Sequence, residues 1–154
     1  MLFAATKADH LHHLSRPRLE AVLALLIADA RARGDELDAE IRTLAIASLR
    51  ATEEASAKNK SLPEGFVLGI PLAGQTIDGR TTDGVSQLAV HPGELPADPA
   101  ETLARAERGA GPLDLNFIKF AAPKFELTAA GVPARWPHID LDRVLETLIG
   151  DRLR

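Results

Sequence analysis

Met1-Leu2-Phe3-Ala4-Ala5 is an unbroken apolar run, and the chain turns polar at once in Thr6-Lys7-Ala8-Asp9. A short apolar run without alternation predicts a strand buried on both faces, the kind found inside parallel sheets. Beyond the polar loop, Leu19, Val22, Leu23, Leu26, Ile27 and Ala30 recur at the spacing of one helical face, which predicts an amphipathic helix. Ser15 and Pro17 mark its entrance, because a hydroxyl can cap free N–H groups and proline suits a first turn. Gly34, just behind Arg31 and Arg33, marks its exit. Strand, polar loop and helix in this order predict an α/β domain built on a parallel sheet. An interior strand needs neighbours on both sides and no earlier strand precedes this one, so the sequence reads as beginning inside a fold. The competing reading is an edge strand of a small α+β domain.

The segment Asp38 to Thr52 is ambiguous. Leu37, Ile41, Leu44, Ala45, Ser48 and Leu49 keep helical spacing, slightly favouring a helix, yet Thr43 to Leu49 also suits a buried strand. From Ser61 the texture changes, with Pro63, Gly65, Gly69, Pro71, Gly74, Gly79, Gly84, Pro92 and Gly93 interrupting every apolar run. Short strands and turns are expected there, with Phe66 to Ile70 and Gln87 to Val90 as strands and Asp78-Gly79 and Asp83-Gly84 as turns. Ala100 to Gly111 reads as a short helix followed by a loop, Phe117 to Phe120 as a strand, and Pro123 and Pro133 bracket a loop or irregular hairpin. A C-terminal helix is predicted with Asp140 as its cap and Leu141, Val144, Leu145, Leu148 and Ile149 on its buried face. The expected organisation is residues 1–60 as part of a nucleotide-binding domain, 61–114 as a Pro/Gly-rich β segment, and 115–154 as a strand and helix packing back.

Composition excludes several classes. With 45% hydrophobic and 26% charged residues the chain is neither disordered nor a membrane protein by composition. Five Phe, one Trp and no Tyr leave aliphatic side chains and Ala to fill the core, so a modest stability is expected. The absence of Cys rules out disulfides and thiolate metal sites and suits a reducing compartment, with the cytoplasm the default. A net charge of −4 with scattered Lys and Arg makes a nucleic-acid backbone an unsuitable partner. The apolar start is too short for a membrane span or signal core.

Chemistry concentrates at Thr6-Lys7-Ala8-Asp9. The motif follows a buried strand, where doubly wound folds put their ligand sites. It fits the Asn/Thr-Lys-x-Asp pattern of GTPases, in which the Asp carboxylate accepts two hydrogen bonds from guanine and the Lys stem lies along the base. Adenine cannot satisfy such a carboxylate, lacking the ring N–H and amine at that edge. A solvated loop after a strand is the plain alternative. His10, His12 and His13 invite a metal reading, but only alternate side chains are expected to converge and no carboxylate other than Asp9 lies at evident spacing; no metal site is assigned. His91 and His138, beside prolines, read as turn residues, and Asp140 and Asp142 as helix caps.

Leu2 to His13 and Ala45-Ile46-Ala47-Ser48-Leu49-Arg50-Ala51-Thr52 resemble the YcjX family of P-loop, stress-associated GTPase-like proteins. The resemblance continues in order through Pro71-Leu72-Ala73-Gly74, Ile77 to Thr81, Pro92 to Pro99, Pro137-His138-Ile139 and Leu148 to Leu153, covering essentially the whole chain and only the family's C-terminal third or so. It implies a P-loop GTPase-like fold, shifts Thr43 to Leu49 towards strand, and implies GTP or GDP as ligand. Thr6, Lys7 and Asp9 then take the base-recognition role. Ser48, Leu49 and Arg50 become the second base-contacting loop, which presents a backbone N–H to the guanine carbonyl, although the usual Ser-Ala-Lys pattern is not reproduced. The phosphate cradle Gly-x-x-x-x-Gly-Lys-Ser/Thr does not occur, since Gly109-Ala110-Gly111 lacks the Lys, and no magnesium ligand is recognisable. The expectation is a truncated GTPase-like protein that needs the missing N-terminal part of the domain and does not itself hydrolyse GTP. The alternative is a non-enzymatic interaction module in which the motif at Asp9 is incidental.

Overall fold

The computed structural model describes residues 1–54, 65–109, 115, 117–132 and 134–152. Pro63, Ala110, Gly111, Pro133 and Leu153, singled out above, lie outside these residues, as do parts of the 61–114 segment.

Strand β1 (Leu2–Ala5) leads through the polar loop into helix α1 (Arg16–Leu26) and helix α2 (Ala28–Asp35), and the chain returns as β2 (Arg42–Ala45). The two strands pair in parallel, Leu2 opposite Arg42 and Ala5 opposite Ala45. The helix-or-strand ambiguity therefore resolves to strand, although the regular part ends at Ala45 and only a bridge at Ala47 continues it. Two parallel strands joined through helices make a βαβ unit. A larger parallel sheet is not seen among the described residues, where β1 and β2 pair only with each other.

The first helix departs from its expected form. It starts at Arg16, and Ser15, though nearly buried, makes no side-chain cap. The His12 ring accepts from the Leu14 N–H instead, at 3.5 Å. The continuous stripe to Ala30 is interrupted at Ile27, whose φ of −103° and ψ of 15° separate α1 from α2. That break turns Leu26 to solvent, 62% exposed, while Val22 stays buried. Glu20 on α1 accepts the Ala45 N–H at 2.9 Å, satisfying a backbone donor that faces away from β1.

Beyond β2 the chain forms β3 (Thr52–Glu54) and β4 (Val67–Gly69), then a two-residue hairpin of β5 (Thr76–Ile77) and β6 (Arg80–Thr81), then β7 (Leu88–Val90). Strands β3, β4 and β7 form an antiparallel sheet in that order. Asp78 and Gly79 take φ of 48° and 74°, both left-handed as a tight hairpin turn requires. At the second expected turn the Asp83 carboxylate accepts the Val85 and Ser86 N–H groups at 2.9 and 2.8 Å and the Ser86 hydroxyl. These donors hold it at a pKa of about 2.

Helix α3 (Pro99–Glu107) packs against α1, beside the Leu95 carbonyl that accepts from Arg18 at 2.7 Å. The expected strand at Phe117 to Phe120 is not formed. Phe120 makes one bridge to Pro71, with Leu72 N–H donating to Lys119 and Ala121 N–H to Ile70 at 2.8 and 2.7 Å. Pairing stops at the next position, where the Lys119 N–H donates to Gln75 Oε1 at 2.7 Å and the Leu72 carbonyl accepts the Thr82 hydroxyl at 2.6 Å. Residues after Pro123 fold back as an irregular hairpin, with Ala134 N–H on Glu126 C=O at 2.8 Å.

Helix α4 (Leu141–Ile149), followed by a 3-10 turn at Gly150–Arg152, ends the described chain. Asp140 stands at its N-cap in a left-handed conformation, φ 52°, and its side chain caps nothing. The Leu141 N–H donates to His138 Nδ1 at 3.3 Å instead, and Asp142 is a first-turn residue. The expected buried face is largely open, with Leu145, Leu148 and Ile149 at 50%, 58% and 39% exposure. The main core cluster is Ala8, Ala45, Ala47 and Ile139 with Leu19 packed on it. Small and aliphatic side chains fill it, as the composition implies.

Candidate functional site

The loop after β1 turns through Lys7, whose φ of 61° and ψ of 33° are left-handed, a sparsely populated conformation for a residue with a Cβ. That turn leaves the Thr6 and Lys7 side chains exposed and swings Ala8 and Asp9 inward. Ala8 is fully buried and Asp9 is 4% exposed. The Ala8 N–H donates to Ile46 C=O at 3.0 Å, and the Ile46 N–H to Ala5 C=O at 2.8 Å, so the loops after β1 and β2 leave the sheet side by side.

Asp9 is the joint between them. Its Oδ2 accepts the Ala51 N–H at 2.9 Å, and its main-chain carbonyl accepts the Thr52 hydroxyl. A carboxylate offers about four acceptor positions, and Ala51 is its only donor among the described residues.

The loop Ser48 to Arg50 is wrapped by a distant segment. Ala47 and Ile139 exchange backbone hydrogen bonds at 3.1 and 2.8 Å, the Arg50 N–H donates to Pro137 C=O at 2.8 Å, and Trp136 Nε1 donates to Ser48 C=O at 2.6 Å. Trp136 also stacks on Phe125, centroids 5.2 Å apart. Of the three positions expected to face a base, Arg50 has therefore already donated its N–H. Ser48 and Leu49 keep theirs, with no acceptor among the described residues. The Arg50 side chain is drawn to Thr52 C=O at 2.8 Å and towards Glu54 at 3.7 Å.

His10 follows Asp9 and sits edge-on to Phe120 at 5.4 Å. Burial pushes its pKa below the ordinary 6.5, with Asp9 partly opposing and Lys7 assisting. Beside this corner, Arg50, Ala51 and Thr52 form one wall of a cavity of about 730 Å³, and Phe125, Arg135 and Trp136 form the other. Lys7 and Asp9 are not among its lining residues.

The structure thus brings Lys7, Asp9, Ser48, Leu49 and Arg50 to one end of the β1–β2 pair. It adds residues that sequence reasoning missed. Ala51 and Thr52 fell within a quoted segment without a role, and Trp136 carried no signal beyond being the sole tryptophan. His12 and His13 bring their rings to 4.3 Å of each other beside Glu54, where convergence was not expected.

Among the described residues, no helix is long and apolar enough to cross a membrane. Residues 1–153 match the YcjX-like family, DUF463. The chain is 33% identical over 156 residues to the Ras-like GTPase YcjX of Escherichia coli (strain K12), covering all of this chain and 29% of that protein. It is 27% identical over 153 residues to the Ras-like GTPase YcjX of Shewanella oneidensis (strain MR-1), covering 99% of this chain and 28% of that protein. The chain spans less than a third of the length of these curated relatives. With the match running through the β1 loop, the β2 loop and the segment that wraps it, the chain belongs to the YcjX-like family.

Proposed function

We propose that this chain carries the base-recognition corner of a guanine-nucleotide site. Asp9 reads the guanine edge, the Lys7 stem lies along the base, and Ser48 or Leu49 donates a backbone N–H to the base carbonyl. Thr6 opens the motif, and Arg50 borders the site through its side chain. The observation that carries this reading is the Asp9–Ala51 hydrogen bond at 2.9 Å, which fastens the two loops that a base must touch together. The names of the curated relatives support it.

The residues fit guanine in kind. Among the described residues Asp9 retains acceptor capacity, and the Ser48 and Leu49 N–H groups are unspent. Access is narrow, because Asp9 is 4% exposed and the loop must shift to admit a base. The chain contains no Gly-x-x-x-x-Gly-Lys-Ser/Thr string, so the backbone cradle for phosphates and the ligands for Mg²⁺ come, in this reading, from other parts of the intact protein. Much of the affinity of a P-loop site resides in those contacts. The chain by itself is then a weak binder and does not hydrolyse GTP.

The test is Asp9→Asn in a protein that includes the phosphate-binding parts. The amide presents one acceptor and one donor group, mismatching guanine's amine and matching the carbonyl that replaces it in xanthine. Competition binding should show preference moving from GTP to xanthosine triphosphate. A variant that still prefers GTP would remove Asp9 from base reading.

A second reading, a non-enzymatic interaction module, is favoured by the near-complete burial of Asp9 and by the open apolar face of α4. In that case Asp9 is a structural joint, and Asp9→Asn leaves nucleotide preference unchanged.

A further inference from the structure

We propose that His12, His13 and Glu54 form a site for one divalent transition-metal ion, with zinc the best fit. One ring nitrogen from each histidine and a carboxylate oxygen of Glu54 lie within 4.8 Å of one another. Neighbouring side chains normally diverge along an extended chain. Here His12 is extended, φ −64° and ψ 149°, and a single helical turn begins at His13. That change of direction brings both rings to one side, 4.3 Å apart and tilted by 43°.

The donor set selects the ion class. Two imidazoles and one carboxylate, with water in the fourth position, suit tetrahedral zinc. Imidazole donors disfavour Mg²⁺ and Ca²⁺, which take oxygen ligands. Zn–N and Zn–O bonds of about 2.0–2.2 Å put tetrahedral ligand atoms about 3.3–3.6 Å apart, so His13 Nδ1 and Glu54 Oε2, now at 2.8 Å, would separate slightly while the His12 nitrogen, within 4.8 Å of both, closes on them. His13, with a side chain 52% exposed, has room to supply that movement.

The surroundings are arranged as an outer shell. Arg16 holds Glu54 Oε1, leaving Oε2 to face His13 Nδ1 at 2.8 Å. The Leu14 N–H lies 3.5 Å from His12 Nδ1 and orients that ring. Such partners fix the direction of ligating groups. The Arg16 and Arg50 guanidinium charges oppose the incoming cation, but both are directed at Oε1 rather than Oε2, which favours moderate affinity over that of a closed structural zinc site. The ion would tie the loop after β1 to β3. Thr52, two residues before Glu54, donates to the Asp9 carbonyl, so occupancy would stiffen the base-reading corner. The site itself does not depend on the nucleotide reading.

Calorimetric titration of Zn²⁺ into the full chain, with Mg²⁺ in parallel, tests this. One saturable zinc site is expected, with Mg²⁺ silent, and Co²⁺ in its place should give the strong visible absorption of a four-coordinate ion. His13→Ala should weaken zinc by about tenfold or more with an unchanged far-ultraviolet circular dichroism spectrum, as should Glu54→Gln. His138→Gln should bind zinc like the parent. If Glu54→Gln does not fold because Arg16 loses its partner, His13→Ala alone decides. The proposal is overturned if zinc shows no saturable binding at about 100 μM, a concentration at which a three-ligand site fills, or if His13→Ala binds as tightly as the parent.

Discussion

Replacing Asp9 by alanine removes a carboxylate that is 4% exposed and accepts the Ala51 N–H at 2.9 Å. A hydrogen bond to a charged group contributes about 1.5–3 kcal/mol. The Thr52 hydroxyl bonds to the Asp9 main chain and survives the change, so the loops should stay adjacent and the chain should fold. For 154 residues, each kcal/mol moves the melting temperature by about 2–4 °C, which predicts a fall of roughly 3–12 °C for Asp9→Ala. Asp9→Asn keeps a neutral acceptor worth about 0.5–1.5 kcal/mol and should fall between parent and alanine variant. Urea denaturation followed by circular dichroism, and by fluorescence of the single tryptophan, would measure both. Losses below about 0.5 kcal/mol, the range of unremarkable surface substitutions, would refute the reasoning and mean that the carboxylate is not spent on Ala51.

Gly69→Ala should destabilise by about 1–3 kcal/mol, the usual cost of overpacking, because a Cβ there would stand 2.6 Å from Phe120 Cδ1 and 3.2 Å from Thr52 Cγ2; the urea midpoint would report it. His10 gives a pH dependence of defined sign. Its folded pKa lies below the ordinary 6.5 through burial, so the unfolded chain takes up the proton first as pH falls, and stability drops below about pH 6.5 until the folded pKa is passed. A His10→Gln variant should show a flatter stability profile across that window, and an unchanged slope would discount the burial of the ring.

Legibility followed how local the cause was. β1 could be read from its apolar run without alternation, although the expected burial on both faces is not found, its residues being partly buried and Ala4 exposed, and Asp78-Gly79 because two left-handed residues in a tight turn select those side chains. The break at Ile27 could not be read, since Leu26 and Ile27 keep the apolar spacing through it. Asp140 has the right side chain for a cap, yet its backbone is left-handed and His138 caps instead. Phe117 to Phe120 has strand composition, but the Lys119 N–H is taken by the Gln75 side chain instead of a strand partner. At the site, Lys7 and Asp9 were visible through their motif. Ala51 and Trp136 were not, because one acts through its main chain and the other reaches Ser48 across 88 residues.

That last separation bears on when the corner is assembled. Closing a long loop carries an entropic cost that no local contact offsets in advance, and contacts of high sequence separation form late in folding. β1, α1 and β2 can associate early, as a short-range unit. The loop at Ser48 to Arg50 acquires its final backbone partners only once Trp136 to Ile139 has arrived. On a ribosome adding about 5–20 residues per second, the corner stays unbraced for several seconds after β2 emerges, and a chain broken anywhere before Trp136 would retain the Lys7–Asp9 motif without the strap that shapes its opposite wall.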